Sequence, residues 1–370
     1  MANIRHVLGI SGGKDSAALA LYLKNRHPEL DVEYYTCDTG RELNETYALI
    51  DRLESVLGKP VLKLESIDLN NTTGLSPFDH FLSLYGGYLP SSSARWCTKK
   101  LKLDPFEAYM GDAPTISYVG IRGDEDREGY ISKKQSVQSI FPFRKNIWSE
   151  DVIKLLLSNN AIEKFKALSN EYVAKEHFQK LVDAPVSVDF NLKQKATALL
   201  DSDTALFNKI IFQLLKGTDY PIGKLDSFPL IENEDVLKID DIFEILRSSG
   251  VGIPAYYEAL EYEVEIDGEL KKGTYSRSRS GCFFCFFQQK IEWVWLLERH
   301  PDLYESAMKY EKDGYSWMDS ETLEELRQPK RVETIKRDHY KKTQSNASKN
   351  KSWQDQIMDA EGDGCASCFI

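Results

Sequence analysis

The stretch "HVLGISGGKDSAALALYL", residues 6–23, constrains the fold more than any other. An apolar β-type run passes into an Ala- and Leu-rich helical run with only Ser11, Gly12, Gly13, Lys14, Asp15 and Ser16 between them. A strand that enters a helix through so short a polar turn is the repeating unit of a parallel α/β sheet. The alternation continues with "DVEYYTCDTG" as a strand, "NETYALIDRLESVLG" with helical spacing, "PVLKLES" as a third strand and "TISYVGIRGDE" as another. The expected class is α/β, a parallel sheet with helices on both faces. Ligands of such sheets sit beyond the carboxyl ends of the strands, where the polar turns after "HVLGI", "YYTC" and "SYVGI" meet.

The first of these turns is chemically specific. Consecutive backbone N–H groups, the partial positive charge of a helix start and glycines that permit close approach together make an anion site. Phosphate is its natural guest. The turn is not a Walker A loop, because the four-residue spacer and the Lys-Ser/Thr pair of that motif are absent.

Residues 1–145 form the nucleotide-binding core in this reading, and residues 146–226, with helical patterns and no further glycine-rich turn, a helical insertion. Residues 227–326 complete the core and add a C-x-x-C segment and a helical extension, in which Trp293, Trp295 and Leu296 read as core. Residues 327–370 are a basic, flexible arm with a second C-x-x-C. Nine Lys or Arg face two acidic residues between 327 and 351, about +7 on a chain of net charge -11, so the remainder is about -18. That asymmetry allows a local phosphate-binding arm on an acidic body; a solvated helix followed by a linker explains it equally. No 18-residue apolar run and no export signal occur, so the chain reads as soluble and cytoplasmic, with no membrane partner. In that setting its six cysteines, four of them in the pairs Cys282/Cys285 and Cys365/Cys368, point to metal, cluster or redox chemistry rather than disulfides. Cys37, at the end of an apolar strand, reads as structural.

The Ser11–Ser16 run resembles the PP-loop of the adenine nucleotide α-hydrolase superfamily, whose fold is Rossmann-like (HUP/PP-loop) and whose members cleave ATP between the α- and β-phosphates or bind an adenylyl sulfate. "CDTGRELNETYALIDRL", "RWCTKKLKLDPFEAY", "YVGIRGDEDREGY" and "GIPAYYE...SRSRSGCFFC" resemble successive motifs of the phosphoadenosine phosphosulfate (PAPS) reductase family. The likeness spans roughly residues 4–129 and 228–290. It implies that Lys14, Asp15 and Arg122 are catalytic, with Lys14 and Arg122 stabilising phosphoryl charge and Asp15 holding the metal or the loop. It also implies that Ser11, Gly12, Gly13, Ser16, Asp38, Gly40 and Gly120 border ATP, and that Lys99, Lys100 and Lys102 form a basic wall for the phosphate of the substrate. The family element of the form FPL...W...DV matches both residues 141–152 and residues 228–236, so the insertion begins either near Asn146 or after Leu157.

Cluster-binding relatives imply a [4Fe-4S] cluster, or zinc, at Cys97, Cys282 and Cys285, with Thr98 standing where a second cysteine often does and Cys365 or Cys368 available to complete the set. The tail dithiol is alternatively a carrier of persulfide sulfur. The insertion, the extension and the altered tail resemble the ATP pyrophosphatase component of bacterial DNA phosphorothioation systems. That resemblance implies adenylation of a DNA backbone phosphate with ATP and Mg²⁺, a cysteine desulfurase as sulfur donor and further modification-complex subunits as partners. A sulfonucleotide reductase, another PP-loop ATPase acting on RNA or a small molecule, and a nucleotide-sensing module are the alternatives.

Overall fold

The computed structural model describes residues 4–65, 74–127, 129–312 and 314–347. In chain order its elements are β1 (Arg5–Gly9), α1 (Lys14–Arg26), β2 (Val32–Cys37), α2 (Asn44–Leu57), β3 (Val61–Leu64), α3 (Pro77–Leu84), α4 (Trp96–Thr98), a π-helical turn (Lys99–Leu103), α5 (Asp104–Met110), β4 (Thr115–Tyr118) and β5 (Val137–Ile140). There follow α6 (Glu150–Leu157), α7 (Ile162–Glu171), α8 (Glu176–Asp183), α9 (Leu192–Ser202), α10 (Thr204–Leu215), α11 (Ile239–Ser248), β6 (Leu260–Ile266), β7 (Glu269–Tyr275), α12 (Lys290–Arg299), α13 (Pro301–Met308), α14 (Leu323–Leu326) and α15 (Pro329–Ala347).

The first five strands form one parallel sheet in the order β3-β2-β1-β4-β5. Alternation along each strand divides their apolar side chains between two layers. Leu8, Tyr34 and Ile116 pack with α1 and α2 on one face, while Val7, Tyr35 and Val137 pack with Phe106 and Met110 of α5 on the other. The fold is therefore α/β and Rossmann-like. The strand order reverses between β1 and β4, and at such a switch point the loops after the strands diverge and leave a crevice.

Helices α6 to α10 occupy the stretch between β5 and α11, and their buried faces join the core of the sheet itself: Trp148, Val152, Phe165, Phe178, Leu199, Phe207 and Ile211 belong to one apolar cluster with Leu8, Ile116 and Ile140. The two segments that match the same family element lie side by side. Asn233 Nδ2 donates to the Pro142 carbonyl at 2.8 Å, Leu237 N to the Phe143 carbonyl at 3.0 Å and Gly123 N to the Leu237 carbonyl at 2.9 Å. The helices thus leave and return through a hydrogen-bonded neck at the end of β5.

A second core joins α3, α12, α13 and α15 around Phe78, Trp96, Phe284, Trp293 and Trp317. Trp293, Trp295 and Leu296 are buried there. The hairpin β6–β7 turns on Asp267 and Gly268, both at positive φ, and packs against α15 through Tyr262 and Tyr275. No helix among the described residues is long and apolar enough to cross a membrane.

Candidate nucleotide and thiol site

The loop after β1 folds on its own side chains. Ser16 Oγ lies 3.1 Å from both Ser11 N and Ser11 Oγ, and Gly13 N donates to Ser11 Oγ at 3.3 Å. Gly13 is the N-cap of α1 and, having no side chain, gives its first turn no side-chain cap. Glycine is required at 12: its φ is +73°, and a Cβ there would stand 2.2 Å from Thr46 Cγ2. Tyr256 fixes the loop from beneath by donating its hydroxyl to the Gly12 carbonyl at 2.9 Å, and Ser280 Oγ packs over Gly13. Gly120 lets the turn after β4 pass against the backbone of Asp15, where a Cβ would lie 3.0 Å from the Asp15 carbonyl carbon.

The charged residues of the loop are buried. Arg122 is fully enclosed, with Nη1 2.7 Å from Asp15 Oδ1 and 2.7 Å from Glu125 Oε1, and Nε 2.9 Å from Asp124 Oδ1. Lys14, 1% exposed, has its amine 3.3 Å from Asp15 Oδ2 and 5.1 Å from the centre of the Tyr257 ring. Burial raises the Asp15 carboxyl, but the charges of Arg122 and Lys14 outweigh it and hold Asp15 below its usual range. Burial and then the neighbouring Asp15 charge push Glu125 upward. Asp15 and Arg122 accordingly fasten the loop after β1 to the loop after β4, a positioning arrangement, and Asp124 extends it by accepting from Ile239 N at the start of α11.

Beside this loop lies a cavity of about 210 Å³ lined by Ser11, Thr36, Asp38, Glu42, Thr46, Tyr47, Lys63, Lys102 and Gly281 among others. Asp38 accepts from Gly40 N at 2.7 Å and from the Tyr47 hydroxyl at 2.8 Å, and Tyr47 also reaches Glu42 at 3.0 Å. Burial raises the Glu42 carboxyl, whereas in Asp38 hydrogen bonds from Glu42, Gly40 and Tyr47 overcome burial and lower it. The two neighbouring carboxyls are thus pushed in opposite directions, Glu42 up and Asp38 down. Cys37, also on this wall, has a thiol raised by burial to about 12 and approaches the Lys102 carbonyl at 3.6 Å.

A smaller cavity of about 50 Å³ is lined by Cys97, Cys282 and Cys285, with Thr98, Lys102, Ser280 and Gly281. Lys102 and Gly281 line both cavities. Cys282 Sγ is 3.2 Å from Thr39 Oγ1, and burial raises both the Cys282 and Cys285 thiols. Among the described residues no three His, Cys, Asp or Glu side chains form a group that could hold a metal ion. Cys365 and Cys368 lie outside the described residues. The thiols placed here do not by themselves fit a [4Fe-4S] cluster or zinc.

Of the three lysines of the expected basic wall, only Lys102 reaches the cavities. Lys100 pairs with Asp104 at 3.0 Å and Lys99 is exposed; all three belong to one π-helical turn. The basic arm is in part neutralised, since Arg327 pairs with Glu305 and Glu324, Arg331 with Glu321, Lys336 with Glu298 and Arg337 with Glu333. Tyr256, Tyr257, Glu42 and Thr46 also stand at the loop or its cavity; they lie within the stretches "GIPAYYE" and "CDTGRELNETYALIDRL" but are not among the site residues that the resemblance implies.

Residues 5–169 match the phosphoadenosine phosphosulfate reductase domain, a stretch that includes both loops joined by Arg122 and lacks Tyr256, Ser280 and the Cys282/Cys285 pair. No curated protein matches the chain.

Proposed function

We propose that this chain, with its PAPS-reductase-like domain, is an ATP pyrophosphatase that adenylates a backbone phosphate of DNA so that sulfur can replace one of its oxygens. The observation that carries the reading is the wall of Lys102 and Gly281 shared by the nucleotide and thiol cavities: a phosphate activated in one is adjacent to sulfur in the other.

The phosphates of ATP rest on Gly12, Gly13 and the start of α1, and Lys102 supplies a positive charge at the shared wall. Mg²⁺ carried by the triphosphate neutralises the departing pyrophosphate. A non-bridging oxygen of the DNA phosphate attacks the α-phosphorus, its P–O bond forms and pyrophosphate leaves. The terminal sulfur of a cysteine persulfide, loaded by a desulfurase partner, then attacks the DNA phosphorus, and AMP departs with the former DNA oxygen. A second thiol cleaves the S–S bond that remains, which reduces the transferred sulfur and oxidises the Cys282/Cys285 pair to a disulfide; an external thiol reductant restores the pair. The raised thiols of that pair keep them protonated until a substrate charge or base is in place.

The domain match favours a second reading, a sulfonucleotide reductase that releases sulfite from an adenylyl sulfate. One experiment separates them: pyrophosphate and AMP from ATP, with and without DNA, against sulfite from an adenylyl sulfate and a thiol donor, on anaerobically purified protein. Pyrophosphate with AMP supports adenylation. Sulfite without pyrophosphate assigns the chain to the reductases.

A further inference from the structure

The cysteine cavity opens among aromatic rings. Pro90, Phe286 and Phe287 line it, and two guanidinium groups lie against Phe287, that of Arg95 at 5.1 Å and that of Arg279 at 5.4 Å from the ring centre. Arg95 is exposed and directly precedes Trp96, whose ring meets Tyr85 at 5.2 Å and whose indole N–H donates to the Tyr88 carbonyl at 3.0 Å. Tyr88 in turn meets Tyr315 edge-on at 5.2 Å. Tyr85, Tyr88 and Tyr315 are 41%, 39% and 40% exposed, a large aromatic surface left to water. The Lys312 amine lies against Gly87, where a Cβ would stand 2.7 Å from it.

We propose that this rim binds a single strand of nucleic acid, or a strand whose bases have been turned out of the duplex, and leads its phosphate to the wall of Lys102 and Gly281. The rim sets cations beside aromatic rings, the two kinds of group that meet the phosphates and bases of a strand, and the cations stand out on a chain of net charge -11. Stacking needs only a π-face, so the rim selects unstacked bases without reading sequence. This deepens the adenylation reading and rests on it, because it names the form in which the acceptor reaches the shared wall.

The test is an anisotropy titration of the full chain with a fluorescent oligo-dT strand of about 12 nucleotides, within the span one such site covers, with unlabelled duplex as competitor. The strand is expected to bind and the duplex to compete about tenfold less well. The double variant Tyr88→Ala/Tyr315→Ala is expected to bind the strand at least about fivefold more weakly, the lower end for loss of a stacked base, whereas Tyr88→Phe/Tyr315→Phe retains binding. Arg95→Ala lowers the slope of log affinity against log salt by about 0.7. Thermal melts establish that the variants fold. Absence of strand binding, equal competition by duplex, or undiminished binding by the alanine double variant overturns the proposal, and the last result leaves the rings to a protein partner. Tyrosine-dependent strand binding without pyrophosphate release sinks the adenylation reading and spares the rim. Duplex-stimulated release that the alanine variant does not alter sinks the rim and spares the reaction.

Discussion

Replacing Arg122 by methionine keeps much of the side-chain volume and removes the one guanidinium shared by Asp15, Asp124 and Glu125. Arg122 is fully buried and Asp15 and Glu125 nearly so, so solvent screens the loss weakly. Breaking a buried pair by deleting one partner costs about 3–5 kcal/mol. At an unfolding entropy of about 2.1 cal/mol/K per residue, a 370-residue chain melts with about 0.8 kcal/mol/K, so Tm should fall by about 4–6 °C. The deficit carries a pH signature. In the native protein Asp15 titrates below its unfolded value, so its stabilisation is present above that value and is lost only as pH falls through the lower folded one. In the variant, with burial no longer opposed by Arg122, the carboxylates rise and take up protons well before the unfolded chain does. The gap in Tm is therefore largest near pH 7.5 and narrows toward about pH 5. Differential scanning calorimetry at both pH values reads it. A fall of less than about 1 °C near pH 7.5, or a gap that widens on acidification, would refute the account of Arg122 as the charge that holds the loops together.

Gly12→Ala should weaken binding of a non-hydrolysable ATP analogue at least about tenfold by titration calorimetry, because overpacking of this kind costs about 1–3 kcal/mol and falls on the anion loop itself; an affinity equal to wild type would mean the loop does not hold the phosphates. Cys282 and Cys285, raised by burial, should react with iodoacetamide at pH 8 much more slowly than a free thiol of pKa about 8.5. Peptide-resolved mass spectrometry checks this, and rapid labelling of Cys282 in the folded chain would remove the argument for a protected dithiol.

The parallel-sheet part of the molecule was legible because its signals are local. The apolar run of β1, the glycines and the alanine-rich start of α1 each specify their own backbone, and the strand–helix alternation up to β4 specifies the sheet. The neck of the helical insertion was not legible, because two copies of one pattern, at residues 141–152 and 228–236, are both used, side by side. The hairpin at Asp267 and Gly268 did carry a local signal, an Asp-Gly turn between alternating strands. The π-helical turn at Lys99–Leu103 was not legible, because its period differs from the 3.6 residues that helical patterns follow. The ion pairs of the basic arm were hidden because Glu298, Glu305 and Glu321 are drawn from other elements. Tyr256 is 244 residues from the carbonyl it supports.

That last separation also sets a timetable for synthesis. Gly12 emerges from the ribosome near the beginning, but its support at Tyr256 follows 244 residues later, about 12–50 s at ordinary elongation rates of roughly 5–20 residues per second. Through that interval the nascent chain displays the glycine loop after β1 without the Tyr256 hydroxyl or Ser280 packed against it. A ribosome-bound intermediate halted before residue 256 would carry the whole of residues 5–169, the stretch that matches the domain, and still lack the support of its glycine loop, so that loop takes its final form only when the polypeptide is more than two-thirds made.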